Sequence, residues 1–437
     1  MSRLCILVLA PDCNPDSITG PLISYSQAEA LGRIHDVTLA IRSPYEGAVR
    51  RRQGPFRAIE VIRLPWLEHI YDWTLRRIFR NNYRSQALTA FGYPFAVAFE
   101  WSAWRRMRAR IFAGEFDAVL RLMPITAVLP SPFAFFLRKG PIPFVIGPIN
   151  GGLPWPKSFS QADNQRQWIS SFRDLYRILP FARSTYRDAA AIMAGSSQTY
   201  AEFAAYGDKL FFLPENGVTL SLCSQAIRSK ESSGKLELIF VGGLVPYKAC
   251  DLAFCAAAPL LRSDLARFTV VGDGPERNRL EQLARTLGIE KAVSFCGSLS
   301  HAETMQQLRQ ADVMVFPSVR EFGGAVVFEA LALGVVPVVA DFGGPGDIVH
   351  EDIGYKVLLT NESDVVTQME KILADLAGNR GRLEQLRQRG ASYARECLTW
   401  DAKAQTVARI VHWAMGRAPK PDLPPPKALT ADVDSRW

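Results

Sequence analysis

Histidine is scarce: five residues in 437, scattered along the chain. With so few imidazoles no metal site is expected, and the acidic pair Asp432–Asp434 that resembles a D-x-D motif lies in a proline-rich tail. The seven cysteines (Cys5, Cys13, Cys223, Cys250, Cys255, Cys296 and Cys397) are odd in number and include no C-x-x-C pair. Several lie in apolar runs and read as small core residues, and a reducing, cytoplasmic setting is the simplest inference. No apolar run approaches the ~20 residues of a transmembrane helix. Ser2–Ala10 is too short for a signal peptide and is stopped by Pro11-Asp12, so it reads as a first strand. The glycines of Gly272-Asp273-Gly274 lack a third partner, Arg277 standing in its place, which argues against a dinucleotide fingerprint.

The chain is long enough for two cores, and 22% charged residues suit a folded protein rather than a disordered one. Net charge is +8 and uneven: residues 1–180 carry 23 Lys/Arg against 13 Asp/Glu, leaving 28 against 30 for the remainder. A basic first half suits an anionic partner such as a phospholipid or a phosphorylated acceptor, or is simply a solvated face. Nucleic acid is not expected, because no recognised module is present.

Strand, helix and strand follow one another at Leu4–Ala10, Leu22–Leu31 and Val37–Ile41, a βαβ unit. Residues 45–63 read as basic and broken, and 66–113 as largely helical. Further strands are expected at Phe116–Arg121 and Pro143–Gly147, with Ala190–Gly195 the last of this half. The alternation restarts at Leu236–Val241 and continues through Phe268–Val271, Val293–Phe295, Val313–Phe316 and Val335–Ala340. One polar helix is expected over 362–390 and a last one over Thr399–Met415. The fold class is α/β, with two Rossmann-like doubly wound lobes facing across a cleft. Expected bounds are 1–214, 215–398, a returning helix at 399–416 and a disordered tail at 417–437.

The densest chemistry lies at Phe316-Pro317-Ser318 and Glu321-Phe322-Gly323-Gly324-Ala325-Val326-Val327-Phe328-Glu329. Two glutamates sit eight apart across a turn that opens a helix. Bare backbone at Gly323 and Gly324 can approach a ligand closely. The helix start offers unpaired N–H groups to an anion, and Glu329 can reach a hydroxyl-bearing part of the same ligand. Diphosphate on the N–H groups, ribose on one carboxylate and a sugar on the other form a coherent set.

This segment resembles the Glu-x7-Glu signature of the retaining GT-B glycosyltransferases, the large family numbered four. Glu329–Ala340, Gly343–Val349, Phe240–Lys248 and Val271–Pro275 are similar to the same family's donor lobe, and Gly147–Pro156 to a loop of bacterial polysaccharide-type members. The resemblance implies a metal-independent, hexosyltransferase-type enzyme using no cofactor beyond its donor. It implies a UDP- or GDP-sugar, UDP ahead of GDP, and a glycan or lipid-linked acceptor in cell-surface polysaccharide or glycolipid synthesis. Lys248 would hold the diphosphate, Glu329 the ribose, and Glu321 the donor sugar beside the reacting carbon. Gly323, Gly324 and Ala325 would give N–H groups to phosphate, Gly242 and Gly20 close backbone approach, and Ser298 and Leu299 the nucleobase contact. Asn150, Gly151 and Gly152 would lie on the acceptor side.

Two departures stand out. Gly243 occupies the place where such relatives carry an arginine on the diphosphate, and the first βα loop has only Gly20. They leave open a second reading, a degenerate protein that binds a nucleotide sugar or partner without transfer. Phe99–Phe112 mixes aromatics with arginines, which suits either an anionic membrane, at the inner face, or ordinary packing.

Overall fold

The computed structural model describes residues 2–17, 20–77, 92–153, 155–156, 179–224, 234–423 and 426. Two compact units emerge, each treated by itself. The first holds Met1–Gly152, Gln165–Glu215 and Trp400–Trp437, the second Leu153–Asn164 and Asn216–Thr399.

The first unit is built on seven parallel strands: β1 (Cys5–Leu9), β2 (Asp36–Arg42), β3 (Ala58–Ile62), β4 (Ala118–Arg121), β5 (Phe144–Ile149), β6 (Ala191–Ala194) and β7 (Leu210–Phe212). Their order is β3-β2-β1-β4-β5-β6-β7. Alternate residues of β1 enter different apolar clusters, Ile6 and Val8 one, Leu7 and Leu9 the other. Both faces of the sheet are therefore covered, which is why its strands read as unbroken apolar runs. The helix Trp400–Ala414 belongs to this unit: Trp400, Val407 and Val411 pack in the Ile6–Val8 cluster, and Asp401 pairs with Arg33 at 2.7 Å.

The second unit has six parallel strands: β8 (Leu236–Val241), β9 (Ala266–Val271), β10 (Val293–Gly297), β11 (Val313–Phe316), β12 (Val336–Ala340) and β13 (Tyr355–Val357), in the order β10-β9-β8-β11-β12-β13. Helices Cys250–Arg262 and Glu362–Gly378 pack on one another beside it.

Several local expectations need correction. β3 lies inside the stretch read as broken, its signal diluted by flanking arginines and an outer half that is only partly buried. β7 follows Ala191–Ala194, so that strand is not the last; three residues were too few to show a period. The expected single helix over 362–390 is two, Glu362–Gly378 and Arg380–Tyr393, because Asn379 leaves helical geometry and its side chain caps the second by accepting from Arg382 N. The tail read as disordered is placed as far as Leu423: Arg417 pairs with Asp117, Lys420 lies over the Phe211 ring, and Leu423 packs on the core. Residues 427–437, including Asp432 and Asp434, lie outside the described residues.

The chain crosses between units after Glu215 and after Thr399. In the first unit these ends are joined: Lys403 Nζ donates to Pro214 O, and Gln27 and Asn150 donate to the Glu215 backbone and carboxylate at 3.2 Å. In the second, Val218 N donates to Leu398 O at 3.0 Å. Lys403 is buried, and burial pushes its ammonium down to about 7, with the Glu215 carboxylate pulling the other way. Below about 7 folded and unfolded chains both carry the proton. Between there and the ordinary lysine value only the unfolded chain does, so stability rises with pH across that window. Thermal melting should therefore climb from about pH 7 to pH 8.5, and Lys403→Met should flatten the slope; an unchanged slope in the variant would remove Lys403 as its source.

Candidate functional site

β8 and β11 are neighbours, yet the chain leaves them toward opposite edges of the sheet. In an open parallel sheet a crevice lies beyond the carboxyl ends of such a pair. The loop after β8 runs through Gly242 and Gly243 to a short turn at Pro246–Lys248. The loop after β11 runs from Pro317 to Gly324. They are tied together by Val319 N, which donates to Tyr247 O at 2.9 Å. That bond brings Lys248 and Glu321 into contact as an ion pair, both side chains largely buried, with the ammonium 4.8 Å from the Phe316 ring centre.

Glycine density around Glu321 has a packing cause. Gly344 N donates to Glu321 O at 3.1 Å, and a Cβ on Gly344 would stand 2.0 Å from Phe322 O. Gly343 has φ +65°, and a Cβ there would meet Glu321 O at 2.2 Å. The Gly343-Gly344 loop thus presses on the backbone that carries Glu321, a supporting role its family-like text did not disclose. Gly324 caps the helix Ala325–Ala332 with φ +55°, a conformation that favours glycine. Gly323, Gly324 and Ala325 are therefore the start of the helix that carries Glu329, where backbone N–H groups lack helical partners.

Glu329 is paired as well. His301 Nε2 donates to Glu329 Oε1 at 2.7 Å, and this hydrogen bond raises the histidine above its ordinary value. Sequence reasoning missed His301. The signal was Ser300-x-x-Glu303: a capping box that fixes the start of the helix His301–Gln310 and makes His301 its first residue. Ser298 and Leu299 lie just before that cap, and Gly297, with φ +70°, ends β10. Gly272-Asp273-Gly274 is a support rather than a fingerprint: Leu244 N donates to Asp273 O at 3.0 Å, and a Cβ on Gly274 would stand 2.4 Å from Leu244 O.

The remaining candidates belong to the first unit. Gly20 opens the helix Gly20–Ile34, and a Cβ there would make only ordinary contacts, 3.7 Å from Met123. Asn150 is tied to Glu215, and Gly151 N donates to Thr199 Oγ1 at 2.9 Å. Gly152 has φ +109°. His35 is structural: it is buried, its Nδ1 accepts from Leu4 N, and burial pushes it down to about 4. The His69 side chain is exposed on the helix Pro65–Arg77. The loop containing Leu153 and Trp155 falls in the second unit, not in the first as expected. Leu153 O accepts from Arg320 Nε at 3.3 Å, and the Trp155 ring packs against Tyr247. Among the described residues no three His, Cys, Asp or Glu side chains gather as a metal-binding set, and no helix is long and apolar enough to cross a membrane.

Residues 224–396, which contain every candidate of the second unit, match the family described as Glycosyl transferases group 1. The chain is 31% identical over 180 residues to an uncharacterized glycosyltransferase of Methanocaldococcus jannaschii, covering 41% of this chain and 45% of that one. It is 31% identical over 217 residues to glycogen synthase of Mycobacterium tuberculosis, covering 48% and 50%. The chain spans about half the length of the curated relatives it matches. Among solved structures it is similar to Anabaena HepE in complex with UDP, with a TM-score of 0.59, 16% identity, and 93% and 98% of the two chains covered. Two parallel-sheet Rossmann-like units with such a neighbour make the fold GT-B.

Gly243 borders open space: a Cβ there would find only Asp273 O, at 3.9 Å. Gly243→Arg should therefore be accommodated and tighten binding of UDP or GDP by about tenfold or more, the effect of one charge-assisted contact. Titration calorimetry checks this, and unchanged affinity would mean that another cation already serves the diphosphate.

Proposed function

We propose that this protein is a retaining, metal-independent hexosyltransferase. It moves a sugar from a nucleotide sugar, UDP ahead of GDP, to a glycan or lipid-linked acceptor in cell-surface polysaccharide or glycolipid synthesis. The observation that carries the proposal is the meeting of Lys248, Glu321 and the Glu329 helix at the switch point of the sheet, within the segment that matches the glycosyltransferase family. The UDP held by the Anabaena neighbour supports a nucleotide ligand.

In this reading the diphosphate lies against the start of the helix Ala325–Ala332 and Lys248, while Glu329 takes the ribose hydroxyls. As the bond between the sugar carbon and the phosphate oxygen breaks, charge builds on the leaving diphosphate. Fixed N–H groups and an ammonium stabilise that charge without reorganising. The acceptor oxygen bonds to the same face of the carbon, and its proton passes to the departing phosphate oxygen. Glu321, held by Lys248 before the donor arrives, faces the sugar. A second reading, binding without transfer, is favoured by Gly243 and by a first βα loop with only Gly20.

Thermal stability against UDP- and GDP-sugars tests the donor site in wild type and Glu329→Ala. A ligand of the native state at a hundred times its Kd adds about 2.7 kcal/mol. The expected result is a shift with one nucleotide class, lost in the variant. No shift with any nucleotide at saturation would sink the donor site. Binding without donor hydrolysis or sugar transfer would bring the second reading forward.

A further inference from the structure

We infer that the first unit carries a docking surface for an anionic lipid bilayer, built from the helices Tyr93–Phe112 and Pro132–Leu137. Among the described residues of that unit, four large apolar side chains are exposed, and all four lie on two helices packed against each other: Ile70 and Trp73 on Pro65–Arg77, Trp101 and Phe112 on Tyr93–Phe112. Trp101 and Phe112 stand on one face of the helix Tyr93–Phe112, and exposed rings gathered in this way mark an interaction site, whereas scattered exposure does not.

The aromatic residues form a continuous layer. Trp104 stacks on Phe136 with centroids 4.9 Å apart and meets Phe112 edge-on at 6.2 Å. Trp101 lies 5.5 Å from Phe136, and Phe181 joins both Phe135 and Phe136. The layer extends outward from the packed core, with Phe133 buried beneath Trp104 and Trp101 and Phe112 at the solvent.

Charge selects the occupant. Arg105 and Arg108 on the helix Tyr93–Phe112, Arg138 and Lys139 just after Pro132–Leu137, and Arg183 on the helix Ala182–Asp188 stand exposed and make no ion pair among the described residues. The nearby carboxylates are already engaged: Glu60 with Arg106 and Arg110, Glu115 with Arg110, Asp188 with Arg187, while Glu100 is buried against Arg121. Arg138 lies 3.8 Å over the Phe135 ring, which sets a cation at the edge of the aromatic layer. Rings that insert at headgroup depth, with these exposed cations beside them, fit a membrane bearing negative lipids.

Co-sedimentation with vesicles tests the surface. On equimolar phosphatidylcholine and phosphatidylglycerol the wild type should bind at least about tenfold more tightly than on phosphatidylcholine alone. Arg105→Glu/Arg108→Glu should lose that preference. Trp101→Ser/Phe112→Ser should lose about tenfold on the anionic vesicles while circular dichroism shows the fold retained, since both side chains lie outside the packed core. No binding to either vesicle would overturn the inference, as would binding untouched by the aromatic pair. A wild-type dimer in sedimentation velocity that Trp101→Ser/Phe112→Ser dissociates would overturn it in favour of a second copy of the chain.

Discussion

The candidate site depends on one backbone hydrogen bond, from Val319 N to Tyr247 O, between loops that follow neighbouring strands. β8 and β11 run parallel and their crossovers diverge, so nothing in the sheet ladder fixes the loops beyond their ends. This bond does so, and with it the meeting of Lys248 and Glu321, residues far apart in the chain. Around it the loops are pressed together at three glycines: Gly344 on Phe322, Gly274 on Leu244, Gly343 on Glu321. Each close approach is a place where backbone meets backbone, so the position of Glu321 is set by main-chain contacts instead of by flexible side chains.

The alternation of apolar runs with amphipathic segments was enough to read a doubly wound α/β chain, because strands covered on both faces advertise themselves. Short edge strands did not. β7 and β13 have three residues each and lie at the ends of their sheets, below the length at which any period can be seen. Asn379 was invisible for another reason: its side chain caps the next helix, while the apolar pattern runs through it without a break.

At the site, the residues that sequence brought forward were those that combine a charge with a glycine-rich turn. Lys248, Glu321 and Glu329 fall in the second unit, beyond the carboxyl ends of its two central strands. His301 was overlooked because its meaning is a pairing, and pairings across 28 residues leave no local mark. The candidates from the first unit fare differently. Asn150 is engaged with Glu215 at the chain crossing, and Gly20 sits where alanine would fit as well.

The two carboxylates of the site each already have a partner, Glu321 the Lys248 ammonium and Glu329 a hydrogen bond from His301. A site of this kind supplies its own partners for its carboxylates. A diphosphate approaching it does not meet the repulsion of two bare negative charges, as it would if the glutamates stood alone. On the proposed function, occupation is an exchange of partners: the ammonium would turn from carboxylate to phosphate, and the freed carboxylate to hydroxyl groups. A ligand with only one of those two features completes half of the exchange and leaves a charge unmatched. On the proposed function, the pairing would discriminate in favour of molecules that join a phosphate to a polyol, before any contact with the base is made.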